Sequence, residues 1–172
     1  MNLIDFSDEA LIRIFVFLKT KEIGNFACCR RFYSLTQGKT GQRIFQERCE
    51  NEYSKYLSFK INIDWKSFYQ RVYLTLNKNK NHLITYITSN LFLEFKVLAE
   101  NKKLIKELLY YSVIYGKITM CMYLQNRYKE KLNRYLPGPN YVSLAVVSGH
   151  IDIYEWLLNF YPEEAHSNSF II

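Results

Sequence analysis

The chain has 172 residues, 49% of them hydrophobic and 17% aromatic, with only three prolines and six glycines, which is enough apolar material for one domain or two small ones and excludes a disordered chain. β-type alternation is scarce, so the expected fold is all-α. The net charge of +7 comes with no recognised nucleic-acid motif; solvated helix faces, or steering of an acidic protein partner, account for it, and nucleic acid is not the expected partner.

At the N-terminus Asp5, Asp8 and Glu9 interrupt the basic-then-apolar pattern of a secretory signal, and no apolar run approaches membrane-spanning length. Ser7 is a good N-cap, and Asp8 and Glu9 suit the positive end of a helix dipole, so a helix is predicted over 8–18. It contains Ala10, Leu11, Ile12, Ile14, Phe15, Val16, Phe17 and Leu18. One face would hold Leu11, Ile14, Phe15 and Leu18, while Ile12, Val16 and Phe17 point elsewhere. A helix so nearly apolar all round needs cover on more than one side, from its own core or from a partner protein.

Cysteines stand at 28, 29, 49 and 121. No Cys-x-x-Cys pair or zinc-like spacing is present, which fits a reducing compartment and core packing for Cys28 and Cys29. No serine-histidine-acid set, paired carboxylates or phosphate loop appears, so the chain reads as a non-enzyme with no metal or cofactor. Asn77-Lys78-Asn79-Lys80-Asn81 is a polar break. Beyond it, 82–88 and 91–99 are expected as two short helices capped near Asn81 and Asn90.

Gly116 and Gly149 are 33 residues apart, each between two apolar helical stretches. Glycine suits a bend where one helix stops and another starts almost at once, and 33 residues is the period of stacked helix-turn-helix repeats of the ankyrin type. Tyr141 to Ile151 and the continuation to Leu158, with Leu144-Ala145, Gly149-His150 and Leu157-Leu158, resemble the ankyrin family closely. The segment 108–118 keeps Gly116 and Ile118 but has Lys117 where the family often has histidine. The resemblance implies that His150 ties the turn. Leu136-Pro137-Gly138-Pro139-Asn140 joins the repeats, either as a simple connector or as a loop that projects toward ligands. Trp156 lies in the apolar stripe with Ile153 and Leu157 and is expected in the core.

Residues 6–35 carry a second resemblance. Glu9, Ile14, Leu18, Glu22-Ile23, Cys29 and Phe32 fall in the pattern of an F-box, with Phe6-Ser7 where that family has Leu-Pro. The segments 43–53 and 64–71, the latter containing Trp65-Lys66, are similar to those that commonly follow an F-box. The F-box resemblance implies binding to an S-phase kinase-associated adaptor, and through it to a cullin scaffold of a ubiquitin ligase. Phe6, Ser7, Glu9, Leu11, Ile14, Phe15, Leu18, Ile23 and Phe26 would make that contact. The repeats would then choose the target protein through Tyr110, Tyr111, Asn133, Arg134, Tyr135, Asn140 and Tyr141, a loop region rich in the residue types most often found as interface anchors.

The implied organisation is an F-box-like three-helix unit at 1–50, a helical linker with a degenerate first repeat at 51–100, and ankyrin-like repeats with a tail at 101–172. A short chain of this kind resembles effectors of intracellular bacteria, or ankyrin proteins of large DNA viruses. For an effector, the resemblance implies action in the host cytoplasm or nucleus after secretion. Glu163-Glu164 with the apolar end Phe170-Ile171-Ile172 resembles an export signal, though a frayed tail has the same composition. The last four residues contain no cysteine, so no prenyl anchor is expected.

Overall fold

The computed structural model describes residues 7–18, 30–77, 82–134 and 141–160. Among them every regular element is a helix and there is no strand. The chain divides into two compact units, Met1–Leu76 and Asn77–Ile172. The division falls inside the expected 51–100 linker.

In the first unit, α1 (Asp8–Phe17) starts at Ser7, whose hydroxyl accepts the Ala10 N–H at 3.3 Å, an N-cap that satisfies one of the open donors of the first turn. α2 (Arg30–Leu35) turns through Thr36 and Gln37 into α3 (Gly38–Glu52). Leu11 and Phe15 of α1 meet Leu35 and Ile44 in a small core, with Ile12 against its edge. A 3-10 turn (Ser54–Phe59) then leads to α4 (Trp65–Asn77). Asp64 caps α4 by accepting the Ser67 N–H at 2.9 Å, and Gln42 of α3 accepts the Trp65 N–H at 2.7 Å. The ring of Tyr69 on α4 packs 5.5 Å from Phe45 and 5.2 Å from Tyr53.

Among the described residues the second unit has three helix hairpins: α5 (Leu83–Thr88) with α6 (Phe92–Ala99), α7 (Ile105–Ile114) with α8 (Ile118–Arg134), and α9 (Tyr141–Val147) with α10 (Ile151–Phe160). α7 packs on α5, α6 and α9, and α6 also meets α8. All three turns are the same. Asn90, Gly116 and Gly149 have φ of 54°, 66° and 76°. The next N–H reaches back five residues in each case: Leu91 to Tyr86, Lys117 to Ser112 and His150 to Ala145, at 2.8, 2.8 and 2.9 Å. The left-handed residue itself bonds three back, to Ile87, Val113 and Val146. These are the paired bonds of a Schellman cap.

Asn90 therefore ends a helix instead of capping the next one, whose N-cap is Leu91. Asparagine reads as a helix start through its side-chain oxygen, but it also tolerates left-handed backbone better than most residues. Asn81 lies outside the described residues. The buried set repeats with the turns: Leu83, Leu109 and Val142 seven residues before the left-handed residue, and Met120 and Ile153 four after it, all belong to one core. Trp156 is in that core, as its stripe predicts.

Candidate functional site

α1 is the element on which adaptor contact was expected, and its packing separates an inner face from an outer one. Leu11 and Phe15 have no exposed surface and Val16 is buried, whereas Phe17 is 83% exposed. Ile14 and Leu18 are half-buried, and Ser7 and Glu9 are exposed. Leu11 and Phe15 are thus core residues with no side chain left for a partner, a correction to the expected contact set. The outer face carries Phe17, flanked by Ile14 and Leu18, at the helix end. Phe6, Ile23 and Phe26 lie outside the described residues.

Arg48 of α3 holds that helix end in place. Its guanidinium is fully buried; Nη1 donates to the carbonyls of Phe15, at 2.7 Å, and Leu18. Nη2 donates to the Tyr69 hydroxyl and pairs with Glu52, both at 2.6 Å. The Tyr69 hydroxyl in turn donates to Glu52 at 2.8 Å. A positive charge at the C-terminal end of α1 satisfies open carbonyls and matches the negative pole of the helix dipole. Nothing in the local sequence marks Arg48 out. Its neighbours Glu47, Glu50 and Glu52 read as a solvated face, and only the pairing of α3 with α1 and α4 gives it this role.

In the second unit only Tyr110, Tyr111 and Tyr141 of the expected target-contact set have described side chains. Tyr110 and Tyr111 are half-buried on α7, with ring centroids 5.3 Å apart, and Tyr111 stacks on Tyr115 at 6.4 Å. Tyr141 is 5% exposed and belongs to the core. At the first residue of α9 it is held in that core, which corrects the expectation of an outward contact. Asn133 and Arg134 are in the last turn of α8; their side chains, and all of Tyr135 and Asn140, lie outside the described residues.

Two polar features knit this unit together. The His150 ring lies against Gly116, with Nε2 2.8 Å from the Ile114 carbonyl. A carbonyl only accepts, so Nε2 carries the proton. The ring thus links the turn at Gly149 to the end of the preceding helix α7. Glu100 accepts from Arg127 and from the Tyr128 hydroxyl, at 3.3 and 3.2 Å. Helical geometry breaks at Tyr128; burial, reinforced by the Glu100 charge, pushes its hydroxyl pKa up to about 12.

The described thiols offer no nucleophile. Cys49 and Cys121 are free and buried, and burial pushes both up to about 12, so they are neutral at ordinary pH. Cys28 and Cys29 lie outside the described residues. Among the described residues no group of three or more His, Cys, Asp or Glu could hold a metal ion, and no helix is long and apolar enough to cross a membrane. In comparison with known proteins, no family model, curated protein or solved structure matches the chain at a significant level.

Proposed function

We propose that this chain is the substrate-recruiting F-box subunit of a cullin-type ubiquitin ligase. Its N-terminal unit binds the S-phase kinase-associated adaptor, and its helix-hairpin unit, an ankyrin-like stack, holds the target. The observation that carries the reading is the outer face of α1: a large aromatic, Phe17, fully presented beside Ile14 and Leu18 on a helix whose other face is anchored in its own core. Exposed apolar surface of this kind is what a protein partner covers. On the effector reading this activity would take place in a host cell, in the cytoplasm or nucleus, after secretion. A second reading, a repeat scaffold with no ligase link, is supported by the three like turns of the second unit, which need no F-box to form a binding surface.

Co-purification with the isolated adaptor separates the two readings. Phe17→Asp combined with Ile14→Ala should abolish capture and leave the melting temperature nearly unchanged, since loss of one anchor costs about 1–4 kcal/mol of binding. Leu11→Ala should instead lower stability by about 3 kcal/mol. No capture by the unaltered protein would leave the scaffold reading, and undiminished capture by the folded double variant would mean that the outer face of α1 is not the contact.

A further inference from the structure

α1 ends with neither a glycine cap nor a basic residue in its last turn, and the chain leaves it at Leu18 with φ of −65° and ψ of 139°. The last four carbonyls of a helix have no partner inside it, so an end of this kind frays unless something else binds them. Arg48 supplies the partner from α3. Its Nη1 donates to the carbonyls of Phe15 and Leu18 and lies 3.5 Å from that of Val16. Carbonyls on both sides of Phe17 are thus turned onto one buried group, while the Phe17 side chain stands in the open. The guanidinium is fixed in turn by the Tyr69 hydroxyl and Glu52, with its central carbon 4.9 Å from the Tyr69 ring centroid. Stability alone gives no reason for an arginine here, because a buried charge loses its hydration and apolar residues of similar volume often serve as well. What an apolar side chain cannot do is hold several carbonyls of a helix end in one arrangement.

We propose that Arg48 is a positioning residue that fixes the direction in which Phe17 is presented to a partner. The partner's identity rests on the F-box reading, in which it is the S-phase kinase-associated adaptor. The clasp raises affinity by ordering Phe17 before contact, so that less conformational freedom is lost on binding. Arg48 touches no partner itself; fully buried, it acts only through the backbone of α1. Lysine keeps the charge at this position, but a single ammonium cannot span the α1 carbonyls, the Tyr69 hydroxyl and Glu52 as the planar fork does.

Arg48→Lys in the full chain tests the proposal, with Ile44→Val as control, a change in the same core that leaves the clasp alone. Titration calorimetry reads adaptor affinity, and amide exchange reads the helix end at Leu18, whose N–H bonds to the Ile14 carbonyl at 3.1 Å. In Arg48→Lys the Leu18 amide should exchange about tenfold faster relative to that of Phe45 in α3, and affinity should fall about tenfold although Phe17 is unchanged. Ile44→Val should leave that exchange ratio and the affinity within about twofold of the unaltered protein. Tyr69→Phe removes one partner of the guanidinium and keeps the ring; it should move both readouts the same way by about threefold, and it carries the test where Arg48→Lys does not fold. Added to Phe17→Ala, Arg48→Lys should cost no further affinity, since its effect passes through that side chain. An unchanged exchange ratio in the clasp variants, an unchanged affinity while Leu18 opens, or an affinity loss that adds in full to that of Phe17→Ala would overturn the proposal. If the unaltered protein binds no adaptor, the F-box reading fails, and the exchange ratio by itself then supports or overturns the clasp.

Discussion

At the scale of single residues, the two turn glycines have separable jobs. Both need positive φ, which costs a residue with a Cβ about 1 kcal/mol, but only Gly116 also has an imidazole against it. Gly149→Ala should therefore lose about 1 kcal/mol in urea unfolding, and Gly116→Ala about 2–3 kcal/mol, because the new methyl displaces His150 from the Ile114 carbonyl. In a His150→Ala background the two penalties should converge; if the Gly116 excess persists, the ring is not its cause. Asp64 supplies a pH test. The hydrogen bonds from Ser67, and then from Gln42, hold its carboxyl down to about 2, below the ordinary 3.8. A lowered folded pKa stabilises above the unfolded value and is lost as pH falls through the folded one, so this contribution is complete above pH 3.8 and disappears toward pH 2. Asp64→Asn should flatten that part of the acid-unfolding curve; an unchanged curve would mean the cap carries no pH-dependent stability.

At the scale of elements, α1 shows how a helix without an amphipathic stripe acquires an inside and an outside. Its C-terminal end is tied to α3 and α4 through Arg48, Tyr69 and Glu52. The guanidinium spans two helices with a planar fork that an ammonium cannot copy. Arg48→Met should destabilise the first unit by about 3 kcal/mol, and Arg48→Lys should recover little of it; chemical unfolding followed by Trp65 fluorescence reads both. Full recovery by lysine would reduce Arg48 to a simple charge. Asn90 carries a second lesson at this scale. The hairpin of α5 and α6 repeats the turn of the other two without a glycine, so its kinship to them is visible in hydrogen bonds and hidden in residue identity.

At the scale of the whole molecule, the two units have separate cores, so residues 1–76 and 77–172 should each fold when produced alone. On the proposed function the first should retain adaptor capture and the second target capture, and a pull-down with each unit reads this directly. If 1–76 recruits the targets by itself, the hairpins do not choose them. What the sequence alone determined was the local part: the all-α class, the start of α1 at Ser7, and the turns at Gly116 and Gly149. Caps, dipoles and φ preferences act within a few residues, and so they are legible along the chain. Tertiary structure alone decided that Leu11 and Phe15 face the core while Phe17 does not, that Tyr141 is buried, and that Arg48 is the buried link between three helices. These outcomes depend on partners far away in sequence, 33 residues from Arg48 to Phe15 and 36 from His150 to Ile114, and a nearly all-apolar helix or a run of charged residues looks the same from every side until such a partner is in place.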